Sequence, residues 1–250
     1  MIKVLIKILL LLDSFLYLLK IPRGTFLWKV NGVLLRNLKK SIVKIDGHIV
    51  CLDNKDSLGA SLKEFEPKIR SIFKDKIKQG DTIIDVGANV GYHTLLLAKL
   101  VGGGKVYAFE PEPKAFGLLS KNIKQNGYKN VVLINKGLGE KEQVLDLYLN
   151  PKNAAGHSLI KRDNWQKQPV EIIALDDFLP KNTKVDFIKV DVEGSELSVF
   201  KGMKRILSEN KNVKIITECI SENGEDAFKF LSDLGFSIHS IDSTNLYCWR

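Results

Sequence analysis

Different hydrophobic periods follow one another along this chain. From Met1 to Lys20 nearly every residue is apolar. On a helical projection Val4, Ile8, Leu11, Leu12, Phe15 and Leu19 fill one face. Lys3, Lys7 and Ser14 cluster opposite, with Asp13 and Lys20 on the adjoining arc. That pattern predicts an amphipathic helix with a wide apolar face. Next, Ile42, Val43 and Ile45 are separated from Ile49, Val50 and Leu52 by Asp46-Gly47, which predicts a hairpin over 41–52. Leu62, Phe65, Ile69, Ile72, Phe73 and Ile77 recur at helical spacing, so a helix is expected over 61–78, stopped by Gly80.

From residue 81 strands and helices alternate, which implies βαβ units and a mainly parallel sheet. Strands are expected at 82–86, 105–109, 131–135, 185–190 and 214–219, and helices at 90–100, 114–126, 195–208 and 227–234. Thr82–Val86 is apolar on both faces, as a central parallel strand should be. Two further strands, 144–149 and 170–175, flank a polar loop over 150–169. The last two strands, 236–241 and 246–249, are joined by Asp242-Ser-Thr-Asn245, so an antiparallel pair is expected at one sheet edge. The expected organisation is a helical segment at 1–40, a hairpin and helix at 41–80, and an α/β domain at 81–250.

Charge sharpens this division. The net charge is +9. Residues 1–80 carry 16 Lys and Arg against 7 Asp and Glu, whereas residues 81–250 carry 22 of each. The basicity therefore belongs to the N-terminal part, which points to an anionic surface rather than to a specific nucleic acid. An apolar helix followed by Arg36, Lys39, Lys40 and Lys44 fits a helix lying in a membrane interface. Packing on the domain or on another subunit is the alternative. A full span needs about 20 apolar residues, and Lys7 and Asp13 interrupt this segment. No small-residue cleavage site follows, so the expected location is the cytoplasm, peripheral at the inner membrane surface. Three well-separated cysteines, Cys51, Cys219 and Cys248, argue against a disulfide framework or a zinc site.

Three places carry candidate chemistry. Asp85-Val-Gly-Ala-Asn-Val-Gly91 closes a strand and opens a helix. In an open α/β sheet, ligands bind beyond the carboxyl ends of the strands. Gly87 permits a tight turn, and Gly91 opens a helix N-terminus that favours an anionic group, such as the carboxylate of S-adenosylmethionine. Asp85 is placed to face the ammonium group of that ligand. A dinucleotide fingerprint would be G-x-G-x-x-G, but position 89 is Asn. Glu110 ends the next strand, where an acid can accept both hydroxyls of a ribose. Asn135 ends the third strand, where an adenine contact would fall. Asp191-Val-Glu-Gly-Ser-Glu196 ends the fourth. There Asp191 or Glu193 is a candidate general base, if burial raises its pKa, or a divalent-cation ligand together with Asp176 or Asp177. Glu196 also suits a helix start. His93 follows the glycine turn, and His157 in the polar loop is a second candidate base.

Taken together, Glu66-Pro67, Gly80-Asp81, Asp85 to Thr94, Phe109-Glu-Pro111, Ala174-Leu-Asp-Asp177 and Ile188 to Glu196 resemble the FkbM family of methyltransferases over about residues 42–250. The resemblance implies the class I methyltransferase architecture: a Rossmann-like α/β fold with a mainly parallel seven-stranded sheet and an antiparallel edge pair. It also implies bound S-adenosylmethionine and O-methylation of a sugar, glycan or glycosylated small molecule or lipid. Asp85, Gly87, Asn89, Gly91 and Glu110 carry over as donor contacts, and Thr94 and Asn135 complete the expected set. Asp191 and Glu193 carry over as acids near the reacting centre, and His157 completes the candidate catalytic set. No metal-ligand set is assigned, and whether a divalent cation takes part stays open. Two alternatives stand beside this reading. One is an NAD(P)-dependent oxidoreductase, which a Tyr-x-x-x-Lys pair at the active edge would support. The other is a non-catalytic nucleoside-binding scaffold.

Overall fold

In the computed structural model all residues are described except 1, 22–24, 28, 29, 31–33, 35–40, 55 and 219–222. The chain opens with α1 (Ile2–Leu18) and a hairpin of β1 (Ile42–Ile45) and β2 (His48–Cys51). Asp46 and Gly47 both have positive φ, as a tight hairpin turn of this hand demands. The hairpin is fastened to the domain by Asn122, whose side chain accepts from the Cys51 amide at 2.7 Å and donates to its carbonyl at 2.8 Å. Helix α2 (Pro67–Lys76) is shorter than its apolar spacing predicts. Glu66 is left-handed, at φ 48°, and Pro67 starts the helix because its missing N–H has no partner to lose there.

The α/β domain follows as β3 (Thr82–Val86), α3 (Tyr92–Val101), β4 (Lys105–Phe109), α4 (Pro113–Gln125) and β5 (Val131–Ile134). An inserted three-stranded sheet comes next: β6 (Gly137–Leu138), β7 (Gln143–Leu149) and β8 (Gln166–Ile173), ordered β6-β8-β7. Then come α5 (Leu175–Phe178), β9 (Phe187–Val190), α6 (Glu196–Lys201), α7 (Lys204–Glu209), β10 (Lys214–Glu218), α8 (Asn223–Asp233), β11 (Ser237–Ser240) and β12 (Asn245–Trp249). The main sheet has the order β11-β12-β10-β9-β3-β4-β5. Strands β10, β9, β3, β4 and β5 run parallel, and β12 pairs antiparallel with both β10 and β11. The expected antiparallel edge pair is therefore present.

Two sequence expectations change. The single helix expected over 195–208 is broken at Gly202, where a side chain would collide with the Gly139 carbonyl, so close approach of two backbones ends α6. Residues 166–169, expected in the polar loop, instead extend β8, and Leu175 starts a short helix. Around the sheet, Ile84, Val86, Ile188, Val190 and Ile215 pack on Phe200, Met203 and Leu231 on one face, while Ile83 and Phe187 pack on Phe73 and Leu97 on the other. Each of these buried side chains contributes about 1.5–3 kcal/mol relative to exposure.

The N-terminal helix departs further from expectation. Of the predicted apolar face, Ile8, Leu11, Phe15 and Leu19 are exposed, while Leu9 and Leu16 are buried. A helix apolar on most of its circumference does not specify by periodicity which stripe is covered. No helix among the described residues is long and apolar enough to cross a membrane. The side chains of Lys3, Val4, Lys7 and Asp13, and all of Arg36, Lys39, Lys40 and Cys219, lie outside the described residues. Cys51 and Cys248 are buried free thiols.

Candidate active site

The parallel register builds the site. Val86 lies beside Phe109 and Val190, and Val190 beside Thr217. One residue further along each strand, Gly87, Glu110, Asp191 and Glu218 stand in a row at the carboxyl edge. The amides of Gly87 and Ala88 both donate to the Phe109 carbonyl at 3.0 Å, which draws the turn back over β4. Gly87 has φ 77°, and a side chain there would run into the Asp191 carbonyl. The close approach that requires glycine is thus made by a neighbouring strand of the protein itself. Asn89 is left-handed at φ 51°, and its Oδ1 accepts from the Val90 amide at 2.7 Å.

One lobe of the cleft lies over β3 and β4, with Phe109, Glu110, Pro111, Leu138 and His157 among its walls. Glu110 accepts there from the amide of Asn89 and from that of Glu112, both at 2.8 Å. Burial pushes its carboxyl up to about 7 against those two amides. Asp85 and Thr94 sit behind this wall. Asp85 is fully buried, accepts from the Thr94 hydroxyl at 2.7 Å, and lies 3.8 Å from the Lys189 ammonium. Asn135 donates to the carbonyls of Glu110 and Pro111 at 2.8 and 3.2 Å. Gly91 caps α3 with φ 86°, tight against Leu119 of α4. These four residues brace the lobe from outside its lining.

The second lobe lies over β9 and β10. It shares Gly87, Asn89, Ala155, Asp191 and Glu193 with the first, and adds Glu66, His93, Lys189 and Glu218. Lys189 is 3% exposed and lies 3.1 Å from Asp191. Burial alone would strip its proton, but Asp191, Asp85 and Glu66 outweigh burial and keep it charged. Burial would likewise raise Asp191, but the Lys189 ammonium holds its carboxyl below the usual carboxylate range. Burial therefore does not make Asp191 a better base. Glu193 differs. Burial, followed by the charges of Asp191 and Glu196, raises it to about 7 against the opposing Arg162. It also occupies a left-handed conformation at φ 53°. Glu218 is raised to about 9 by burial and by Asp191 and Glu193.

A family model described as the methyltransferase FkbM domain matches residues 85–238. The chain belongs to the FkbM methyltransferase family. Among relatives, Methyltransferase 1 of Beauveria bassiana is 29% identical over 143 residues, 48% of this chain and 57% of that protein. The hexuronic acid methyltransferase AglP of Haloferax volcanii is 27% identical over 174 residues, 69% of this chain and 70% of that protein. A solved structure of precorrin-6y C5,15-methyltransferase from Geobacter metallireducens is similar in fold, with a TM-score of 0.50 and 14% identity, over 75% of this chain and 90% of that one. This FkbM methyltransferase therefore has the class I fold and uses S-adenosylmethionine, which sets aside the NAD(P)-oxidoreductase reading.

The first lobe suits that donor. A buried carboxyl with lone pairs to spare, beside Phe109 and Leu138, matches a ribose next to an apolar base. His157 belongs to this lobe, and its Nδ1 accepts from the Asn150 amide at 2.9 Å. A neutral ring so held carries its proton on Nε2 and offers the cleft a donor rather than a base. Asp176 is not brought to the acids. Its carboxylate accepts from the amides of Arg205 and Ile206, where it caps α7. Asp177 is exposed on α5. The carboxylates that do converge are Asp191, Glu193 and Glu218, whose ligand atoms lie within 4.8 Å of one another. Sequence reasoning missed Lys189 and Glu218. The available signal for Lys189 was one charge inside the apolar run Phe187–Val190, and for Glu218 an acid at a parallel strand's carboxyl end. Glu196 accepts from the Gly194 amide at 3.0 Å, a turn-stabilising role ahead of α6.

Proposed function

We propose that this methyltransferase acts on a hydroxyl of a sugar, glycan or glycosylated small molecule or lipid, with Glu193 as the base that accepts the hydroxyl proton. One observation carries the reading: Glu193 lines both lobes, and its carboxyl is poised near 7, where a general base works best at neutral pH. The Haloferax relative, named for a hexuronic acid, supports a sugar acceptor. Glu110, Asn89 and Gly87 hold the donor, which when bound supplies an electrophilic methyl group on a sulfonium. The acceptor oxygen would bond to the methyl carbon as the methyl–sulfur bond breaks and S-adenosylhomocysteine leaves, while the hydroxyl proton passes to Glu193 and then to solvent.

Other residues set up this transfer. Lys189 keeps Asp191 ionised, and the Asp191 charge in turn keeps the Glu193 carboxyl raised. Ser158 donates to the Glu193 carbonyl at 2.8 Å, and the Ala154 amide donates to Ser57 at 3.0 Å. Those bonds pin the polar loop across the cleft, which limits water and aligns the acceptor.

The test is methyl transfer from labelled S-adenosylmethionine to a panel of glycosides, with the product site located by mass spectrometry. We expect an O-methyl product and a kcat that rises through about pH 7. Glu193→Gln should lower kcat by roughly 10²–10⁴-fold and leave donor affinity unchanged. An N- or C-methyl product, or a variant with wild-type kcat, overturns the proposal. We also propose a peripheral position at an anionic membrane through residues 1–44, supported by the exposed Ile8, Leu11 and Phe15 beside nine Lys and Arg. Deletion of residues 1–20 should abolish partition onto anionic vesicles; unchanged partition refutes it.

A further inference from the structure

The second lobe is the one a hydroxyl acceptor would enter, because it shares the wall of Gly87, Asp191 and Glu193 with the donor lobe and extends from there over β9 and β10. Its charge is lopsided. Four carboxyl groups line it: Glu66, Asp191, Glu193 and Glu218. Among the described residues that line it, Lys189 is the one Lys or Arg, and that ammonium is committed to the wall, 3.1 Å from Asp191 and 3.8 Å from buried Asp85. His93 brings no positive charge, since burial lowers its pKa and leaves the ring neutral against Glu66 at 2.6 Å. The one cation that acts on Glu193 from outside, Arg162, is exposed.

We infer that this lobe selects a hydroxyl acceptor bearing no negative charge, prefers an amino sugar to its neutral counterpart, and excludes uronic acids. The inference rests on the sugar-hydroxyl reading above and narrows its substrate class. Three physical reasons carry it. A carboxylate entering the lobe would lose its hydration among like charges, with no free cation among the described lining residues to meet it. An ammonium would find several carboxylate acceptors within one small space, and charge-assisted hydrogen bonds are the stronger kind. The neighbouring hydroxyls of an uncharged ring can donate to the same oxygens, which places a neutral sugar between the two extremes. Burial and the neighbouring acids push the Glu218 and Glu193 carboxyls up to about 9 and about 7, in keeping with that crowding of acids. On this inference the chain differs in acceptor charge from the Haloferax relative, whose name specifies a hexuronic acid.

The test uses the full chain, S-adenosylmethionine, and three probes that share a ring and aglycone and differ in charge through one substituent, at C2 or C6: the p-nitrophenyl β-glycosides of glucosamine, glucose and glucuronic acid. We expect kcat/KM to fall in that order, with the glucosaminide at least about tenfold above the glucuronide, a gap of about 1.4 kcal/mol. Glu66→Gln, which keeps shape and removes a charge from the lining, should narrow the gap several-fold. Equal values, or a preference for the glucuronide, overturn the inference. So does a glucuronide preference that appears with Mg²⁺ and disappears with chelator, because a cation would then occupy the acids. If none of the probes is methylated, the sugar reading fails, and the charge order is read instead from calorimetric binding with S-adenosylhomocysteine present. The same order of affinities sustains the charge selection, and absence of binding by all three overturns both.

Discussion

The two lobes of the cleft share one glycine turn and solve opposite problems. The donor lobe is built mainly from backbone. Its inner acid, Glu110, is fixed by the amides of Asn89 and Glu112, and Phe109, Pro111, Leu138, Leu147 and Leu159 make much of the remaining wall. The acceptor lobe is built from charged side chains that hold one another by ion pairing, with Lys189 between Asp85 and Asp191. A backbone-built pocket suits a ligand of fixed shape that every family member shares. A pocket built from side chains can change its charge with one substitution while the sheet beneath it stays intact. The difference explains why the donor can be read from a short motif, whereas the acceptor needs the assembled edge.

Substitutions can test that contrast, and the largest effect should come from Lys189. Lys189→Met leaves buried Asp85 and partly buried Asp191 without their cation, so stability should fall by about 3 kcal/mol in denaturant unfolding. A loss below about 1 kcal/mol would mean that the acids are solvated and that the lobe is not held by ion pairing. Next comes Glu110→Ala, which should weaken S-adenosylmethionine binding roughly 10- to 100-fold, from the ~1.5–3 kcal/mol of hydrogen bonds to a charged group, with acceptor KM little changed. Calorimetry decides this, and an equal loss on both sides would erase the division of labour.

The smallest effect is on pH dependence. Glu218 in the folded state is raised to about 9 from an ordinary value near 4.5. Its contribution to stability is therefore complete below about pH 4.5 and is lost as pH rises toward 9. Glu218→Gln removes that loss. The variant should melt a few degrees above the wild type at pH 8–9 and no higher at pH 5. The same shift at both pH values would contradict a strained carboxyl at this position.

Much of the fold was legible because its signals are local. A buried parallel strand is a short apolar run, and Gly127 and Gly235 stop the helices that precede them, whereas α2 ends at Lys76, ahead of Gly80. Asp46-Gly47 turns a hairpin within four residues. Pro67 was equally visible, yet the apolar spacing of Leu62 and Phe65 extends the expected helix past it. The break at Gly202 was invisible, because it depends on the Gly139 backbone 63 residues away in sequence. In the site, Asp85 and Thr94 occupy motif positions yet lie behind the wall, and no linear pattern distinguishes a residue that lines a cleft from one that braces it.

The sequence by itself determined the parallel sheet, its antiparallel edge, the glycine turn after β3 and the acid after β4, because each depends on hydrophobic period and on backbone freedom within a few residues. Only the tertiary structure decided which acids meet. Parallel register sets Asp191 beside Glu218 across 27 residues of chain and aligns Asp85 with Lys189 across 104. Burial then splits them, leaving Asp191 ionised against Lys189 and raising Glu193 and Glu218. Proton affinity depends on distance and dielectric in three dimensions, which sequence separation does not encode. The turn from Asp85 to Gly91 therefore announces the methyl donor, while the charge that selects the acceptor exists only once the strands are laid side by side.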